Sequence, residues 1–104
     1  MIELKKEFKK KGVQYTQLFK NNIAVLYKCQ NIEFGYKYFE LFKYKTHKAD
    51  RYHNDEYEVY PSDESFGPWA WACVNKEAIL RELKDNFKTE DITSTYEAIS
   101  KICL

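Results

Sequence analysis

Three consecutive segments in the first half of the chain constrain the fold more than any other feature, because each has the pattern of a β-strand. Residues 13–20 alternate between apolar and polar side chains, residues 23–29 form an apolar run rich in β-branched residues, and residues 35–46 alternate again. Asn21-Asn22 predicts a hairpin turn, since asparagine tolerates the positive φ that such turns demand. Residues 30–33 are the second expected turn. The pattern predicts a meander of three antiparallel strands.

Two further strands are expected outside the meander. Residues 57–60 predict a short strand that ends at Pro61, since proline lacks the N–H that a ladder requires. Residues 69–73 alternate strictly, which predicts a closing strand with its tryptophans on one face and its alanines on the other. Residues 1–11 favour a short helix that ends at Gly12, with an edge strand as the competing prediction.

The C-terminal third has the period of helices. Asn75 is a good N-cap, and a one-sided apolar stripe follows it at Ile79, Leu80, Leu83 and Phe87. Ser94 and Glu97 have the spacing of a capping box, which predicts the start of a second helix. Strands first and helices last predict an α+β fold: an antiparallel sheet of four to five strands with two C-terminal helices on one face. A length of 104 residues predicts a single domain over 1–104.

Charge and cysteine usage bear on the setting of the protein. Residues 1–52 carry twelve Lys and Arg against five Asp and Glu, whereas residues 53–104 carry five against eleven. The two halves either pair across the fold or form separate charged faces. Cys29, Cys73 and Cys103 form no C-x-x-C pair and lie in apolar runs, which predicts free buried thiols in a reducing compartment. With neither a signal-peptide pattern nor a membrane-spanning segment, we expect a cytoplasmic protein without a membrane partner.

The aromatic segment (residues 56–71) is the first candidate functional site. It contains five aromatic residues, four carboxylates and both prolines. Tyrosine and tryptophan beside an acidic turn have the composition of interface hot spots, so a partner-binding surface is predicted at Tyr60, Asp63, Glu64, Phe66 and Trp69. The alternative is that these rings form core and the prolines stiffen a connection. The two interpretations are compatible if one face of the segment packs in the core while its acidic turn is exposed to solvent.

The third strand of the meander suggests an alternative ligand site for a nucleotide or single-stranded nucleic acid. Aromatic rings can stack on bases while lysines meet phosphates, and the candidates are Tyr36, Lys37, Tyr38, Lys43, Tyr44 and Lys45. Strict alternation nevertheless places the tyrosines and the lysines on opposite faces. The simpler interpretation is that the tyrosines pack inward and the lysines point into water.

A second alternative is a metal-dependent nuclease or phosphodiesterase, built from the polar loop with His47, Asp50, His53 and Asp55. The spacing of the two histidines matches no zinc motif, because ligands on one helix would lie three or four residues apart. The chain also contains neither a nucleophile elbow nor a glycine-rich phosphate loop. We therefore expect no cofactor, no metal and no catalytic residues.

The aromatic segment contains the pattern Glu58-x-Tyr60-Pro61-Ser62-x-Glu64-x-Phe66-Gly67-x-Trp69-Ala70-Trp71 after a tyrosine-rich strand. Over roughly residues 34–88 the chain resembles small proteins of bacterial viruses and mobile elements, typical of Bacteroides-like hosts. The resemblance implies an accessory protein that binds a host factor or counters host defence, and it assigns no catalytic residues. The sequence thus favours a small non-catalytic cytosolic binding protein, whose partner is a host protein or a second copy of the chain.

Overall fold

The computed structural model describes residues 1–87 and 92–104. Most of the described chain is divided between strands and two helices. The strands are β1 (Glu7–Lys10), β2 (Val13–Lys20), β3 (Ala24–Asn31), β4 (Lys37–Lys43), β5 (Thr46–His47), β6 (Tyr57–Glu58) and β7 (Ala70–Cys73), and the helices are α1 (Lys76–Asn86) and α2 (Ile92–Ser100). Five strands form one antiparallel sheet in the order β1-β2-β3-β4-β7, while β5 and β6 pair separately. The predicted α+β fold is confirmed.

The meander of β2, β3 and β4 is confirmed, with β3 at the centre of the sheet. Ala24 to Tyr27 at the start of β3 have no solvent exposure. The turn between β2 and β3 differs from the expected one. It is closed by the side chain of Asn21, whose Oδ1 accepts hydrogen bonds from the N–H groups of Ile23 and Ala24, both at 2.8 Å. Asparagine is used here for its side-chain acceptor and not for a positive φ.

The helix predicted for residues 1–11 is wrong, and the competing edge strand is correct. Phe8 lies opposite Tyr15 in the ladder between β1 and β2, and the two rings stack at 4.5 Å between centroids. Lys11 and Gly12 turn the chain with φ of 49° and 78°, as a two-residue hairpin requires. Pairing with β2 buries part of the Phe8 ring, and this tertiary contact outweighs the weak local preference for helix.

The first face of the sheet packs against both helices, as predicted. The buried residues of this layer are Ala24, Leu26, Phe39, Leu41, Cys73, Ile79, Leu83, Phe87 and Ile99. Asn75 caps α1 by accepting a hydrogen bond from the N–H of Ala78 at 2.9 Å. The predicted capping box of α2 is wrong, because the helix already includes Ile92 and Ser94 lies inside it. No helix in the described residues is both long and apolar enough to cross a membrane.

The second face of the sheet is covered by irregular chain. Its buried residues are Val25, Tyr27, Cys29, Phe42 and Ala70, and the rings packed on them include Phe8, Tyr15, Tyr38, Tyr44, Tyr60, Phe66 and Trp69. Part of this cover comes from the long connection between β4 and β7, residues 44–69, which contributes Tyr44, Tyr60, Phe66 and Trp69.

The prediction that Trp69 and Trp71 share one face of the sheet is wrong. Trp69 packs on Phe42 of the second face at 6.1 Å, whereas Trp71 packs on Phe87 of the first face at 5.3 Å. Regular alternation begins only at Ala70, after the turn at Gly67, so Trp69 lies outside the strand whose period the prediction assumed.

Candidate functional site

A pocket of about 470 Å³ opens on the second face of the sheet, and we call it the Glu40 pocket. The β1–β2 hairpin forms one wall and the 60–69 turn (residues 60–69) forms the other. The lining residues are Phe8, Lys10, Lys11, Val13, Tyr15, Glu40, Tyr60, Pro61, Ser62, Asp63 and Phe66. Two segments that are distant in sequence therefore combine with the middle of the sheet to build one concave surface.

Stacked and edge-on rings form the inner wall of the pocket. Phe8 and Tyr15 are nearly parallel, with 4° between their planes. The ring of Tyr60 meets both of them edge-on, at 5.4 and 5.7 Å between centroids. Tyr60 also packs edge-on against Tyr27 and Phe42 of the sheet, at 5.1 and 5.0 Å. This interlocked arrangement holds the wall rigid and leaves an aromatic surface toward the pocket.

Glu40 places a carboxyl group among these rings. It points from β4 to the second face, retains only 9% exposure and accepts a hydrogen bond from the hydroxyl of Tyr60. Burial raises the pKa of Glu40 because it penalises the charged form, while hydrogen bonds from Tyr60 and Cys29 oppose that rise. The side chain therefore stays protonated to a higher pH than an exposed glutamate, and a protonated carboxyl can donate as well as accept.

Three titratable groups packed near Glu40, namely Tyr60, Cys29 and Tyr38, have raised pKa values that favour their neutral forms. Burial, followed by the nearby charge of Glu40, raises the pKa of the Tyr60 hydroxyl and of the Cys29 thiol far above their ordinary values. Burial likewise raises the pKa of Tyr38. Thiolates are the nucleophilic form of cysteine, so Cys29 is poorly suited to covalent chemistry. Of these groups only Tyr60 lines the pocket.

Charges of both signs surround the mouth of the pocket. Lys10 and Lys11 lie exposed on the hairpin wall, and Asp63 lies exposed on the opposite wall. The 60–69 turn is held in shape by Ser62 and Ser65, whose hydroxyls lie 3.2 Å apart. The site thus combines an aromatic interior, a buried carboxyl group and a mixed-charge mouth.

The structure divides the predicted partner-binding residues into two groups. Tyr60, Asp63 and Phe66 line the Glu40 pocket. Glu64 is exposed on the 60–69 turn, and Trp69 is half-buried with the ammonium of Lys45 4.4 Å from its ring centroid. Tyr60, Phe66 and Trp69 pack toward the second face while the carboxylates of Asp63 and Glu64 face solvent.

The alternative ligand residues on β4 do not form one surface. Tyr38 and Tyr44 pack against the second face, whereas Lys43 lies on the first face with its ammonium 5.9 Å from the centroid of Phe87. Tyr36 is 58% exposed and Lys37 is also exposed, both where β4 begins. Lys45 lies over Trp69 instead. Strict alternation therefore holds for Lys43 but not for Lys45, which lies over a ring of the second face, where Tyr38 and Tyr44 also pack.

The polar loop brings three of its four candidate residues together. His53 and His47 lie 3.3 and 3.8 Å from the carboxylate of Asp50, and both imidazoles stack on Tyr57. Asp55 instead pairs with the amino group of Met1 at 2.8 Å. Hydrogen bonds from backbone N–H groups, with that of Tyr52 first, lower the pKa of Asp50.

The hydrogen bonds of Asp50 shape the loop locally, since its Oδ1 accepts from the N–H groups of Tyr52 and His53 at 2.8 and 2.9 Å. Across residues 1–87 and 92–104, no group of three or more His, Cys, Asp or Glu side chains is arranged to hold a metal ion.

Sequence reasoning missed the central residue of the site. The sequence pattern gives Glu40 no role, and the helix predicted for residues 1–11 includes Lys10 and Lys11. A recognisable sign was present, because Glu40 interrupts the apolar run Phe39-Glu40-Leu41-Phe42. A carboxylate in a buried strand is rare and calls for a partner. Its partner, Tyr60, was found only through the tertiary structure.

Few direct ion pairs join the basic and acidic halves of the chain. Among the described residues, Lys20 is the one lysine or arginine of the first half whose side chain lies within 4 Å of a carboxylate, and the amino group of Met1 pairs with Asp55. The strong partner of Lys20 is Glu58 at 2.8 Å. The lysines of the β1–β2 hairpin remain available to a negatively charged ligand.

The chain matches no protein-family model, no curated protein and no solved structure. Functional inference therefore rests on the residues of this chain.

Proposed function

We propose that the protein is a small non-catalytic binding protein, and that its Glu40 pocket receives a side chain from a partner protein. The observation that carries the proposal is the pocket itself, in which the 60–69 turn and the lysine-rich hairpin enclose an aromatic wall and a buried carboxyl group. Interface hot spots are typically anchors that fill such desolvated pockets. The function is therefore recognition without bond making or breaking.

The size and lining of the pocket suit an aromatic anchor. A volume of about 470 Å³ lies within the range that ligand pockets span, roughly 300–1,000 Å³. An incoming ring can pack against Tyr15 and Phe66, and Glu40 can exchange a hydrogen bond with a polar atom at its tip. Lys10 and Lys11 favour acidic residues beside the anchor, whereas Asp63 favours a basic one.

The setting forms part of the proposal. The resemblance over residues 34–88 supports a virus- or mobile-element-encoded accessory protein that acts on a host protein or counters host defence. The free thiols of Cys29, Cys73 and Cys103 suit the reducing cytoplasm. A single tightly bound host protein is the expected partner.

The test uses two neighbouring substitutions on β1. Lys10→Trp places a large ring at the pocket and removes one charge, so it should abolish partner binding. Lys9→Trp introduces the same ring one residue earlier, where strand alternation directs it to the opposite face of the sheet. Wild-type protein and both variants are immobilised and exposed to host lysate. We expect a protein retained by wild type and Lys9→Trp and lost with Lys10→Trp.

Measuring the affinity of the purified partner then distinguishes specific binding from nonspecific retention on the support. The retained protein is purified and titrated into each variant by calorimetry, with unfolding midpoints in urea checked to exclude misfolding. One-to-one binding that Lys10→Trp weakens at least tenfold supports the proposal. If purified candidates bind both tryptophan variants equally, or if no protein distinguishes them, the pocket is not the binding site.

A further inference from the structure

The turn between β3 and β4 displays large apolar side chains that the core does not use. We call residues 32–36 the hairpin tip. Ile32, Phe34 and Tyr36 are 54%, 74% and 58% exposed. Three such residues within one five-residue turn form a concentrated exposed patch, and patches of this kind commonly mark interaction sites. None of these side chains lines the Glu40 pocket, so the hairpin tip is a separate candidate surface.

Hydrogen bonds hold the hairpin tip in one conformation. The N–H of Phe34 donates to Asn31 Oδ1 at 2.7 Å, and the N–H of Gly35 donates to the Asn31 carbonyl at 2.8 Å. The N–H of Ile32 donates to the carbonyl of Gly12 at 2.9 Å, which joins the tip to the neighbouring β1–β2 turn. The exposed rings are therefore presented on a rigid support, and binding loses little conformational entropy.

Two lysines adjoin the hairpin tip along the backbone. Lys11 precedes Gly12 in the adjoining turn, and Lys37 begins β4 directly after Tyr36. Neither ammonium lies within 4 Å of a carboxylate of the described residues. Glu33 is the one acidic residue within the tip itself. The immediate surroundings of the exposed rings thus carry a local excess of positive charge.

We infer that the hairpin tip binds single-stranded nucleic acid, with Phe34 and Tyr36 stacking on bases and Lys11 and Lys37 meeting phosphates. Exposed rings beside cations are the combination that single-strand binding uses. This site differs from the strand-wide site that the sequence offered as an alternative, because only Tyr36 and Lys37 of that set stay exposed at this end of the strand.

Charge also selects this ligand over a lipid surface. Insertion of the tip into a bilayer would bury the carboxylate of Glu33 between Ile32 and Phe34, and burying an unpaired charge is costly. Against stacked bases, Glu33 stays in water. An acidic protein surface would satisfy the lysines but offers no comparable partner for two exposed ring faces.

The test measures fluorescence anisotropy of a labelled oligothymidylate of about twelve nucleotides, within the span that single-strand sites cover. We expect the logarithm of the association constant to fall linearly with the logarithm of the salt concentration. The slope should be about −1.4, because two phosphates are neutralised. Phe34→Ala should weaken binding about tenfold through loss of one stacked base. Lys37→Glu should weaken it, and Glu33→Lys should strengthen it.

Matched control variants distinguish binding at the hairpin tip from nonspecific electrostatic or hydrophobic binding elsewhere on the protein. Tyr52→Ala removes another highly exposed ring, and Lys48→Glu reverses another exposed lysine, both in the loop beyond the opposite end of β4. Both variants should bind like wild type. The inference is overturned if the oligonucleotide does not bind at low salt or if Phe34→Ala binds unchanged. It is also overturned if phosphatidylserine vesicles or polyglutamate bind in preference to the oligonucleotide.

Discussion

The hydroxyl of Tyr60 donates a hydrogen bond to the carboxyl group of Glu40, and this contact joins the connection between β4 and β7 to the middle of the sheet. The Tyr60 ring meets Phe8, Tyr15, Tyr27 and Phe42 edge-on, so the residue also unites the hairpin wall with the central strands. The same contact shapes the inner end of the Glu40 pocket. Fold and candidate site thus share one interaction.

Tyr60→Phe should destabilise the protein by about 1–3 kcal/mol, because the buried carboxyl of Glu40 loses a donor while the ring packing is kept. Urea denaturation monitored by tryptophan fluorescence measures the change. Tyr52→Phe is the control, since Tyr52 is 77% exposed and should change stability by less than about 0.5 kcal/mol. Equal stability of the two variants would show that the hydroxyl of Tyr60 contributes nothing.

Glu40→Gln should alter the pH dependence of stability. Because burial raises the folded-state pKa of Glu40, its contribution is complete below the unfolded pKa of about 4.3 and is lost as pH rises through the folded value. Glutamine does not titrate. Relative to wild type, Glu40→Gln should therefore gain stability as pH rises from about 4 towards neutrality. Parallel pH profiles of unfolding free energy would contradict the raised pKa.

Glu58 should show the opposite dependence. Burial acts to raise its pKa, but hydrogen bonds from Lys20, from Tyr44 and from the N–H of Leu4 outweigh burial and lower it. A lowered pKa gives stability that is present above the unfolded value and is lost as pH falls through the folded value. Glu58→Gln should cost about 1–3 kcal/mol at neutral pH and less in acid.

A neighbouring carboxylate is the control for Glu58, because it reaches the same lysine. Glu3 lies 3.5 Å from Lys20 Nζ with 73% side-chain exposure, whereas Glu58 lies at 2.8 Å with 4%. Glu3→Gln should change stability by less than about 0.5 kcal/mol, since exposed ion pairs contribute little. A larger loss from Glu3→Gln than from Glu58→Gln in urea titrations would refute this ranking.

The three cysteines should differ sharply in reactivity. Cys29 and Cys73 retain 0% and 2% exposure, and burial raises the pKa of Cys73 to about 11 and that of Cys29 further. Cys103 is exposed. An aromatic disulfide reagent should therefore titrate one thiol rapidly in the native protein and all three in denaturant. Cys103→Ser should abolish the fast phase, and any rapid phase that survives this substitution would mean that a buried thiol is accessible.

Two adjacent asparagines should contribute unequally to stability. Asn21 closes the turn between β2 and β3, and its Nδ2 donates to the hydroxyl of buried Thr95 on α2 at 2.8 Å. Asn22 is exposed beside it. Asn21→Ala should lower the free energy of unfolding by about 1–3 kcal/mol. The reason is that the N–H groups of Ile23 and Ala24 and the hydroxyl of Thr95 lose their hydrogen-bond partner. Asn22→Ala should cost less than about 0.5 kcal/mol, and comparable losses in thermal unfolding would count against the Asn21 contacts.

The meander and α1 followed from local pattern. Residues 23–29 are apolar except for Lys28 and are bounded by turn residues, and the structure buries residues 24–27 and Cys29 at the centre of the sheet. The cap at Asn75 and the apolar stripe after it place α1 within a residue or two. These elements are predictable because their side-chain period depends only on their own backbone geometry.

Residues 1–11 show where local pattern fails. Phe8 fits a helix stripe and an even-numbered strand face equally well, and only its contacts with Tyr15 and Tyr60 decide between them. Trp69 likewise fits the period of β7 but lies outside the strand, on the other side of the sheet from Trp71. Periodicity cannot specify which distant surface a ring will meet.

Hydrophobic period and turn chemistry along the chain were enough to establish an antiparallel sheet followed by two helices. They were not enough to establish what covers the second face, because residues 44–69 lack a regular period and take their path from contacts with rings on other strands. Glu40 belongs to the candidate site because the tertiary structure places Tyr60, twenty residues away in sequence, within hydrogen-bonding distance of it. The physical reason is that alternation records which side of a strand a residue occupies, whereas a pocket depends on which distant segments meet there.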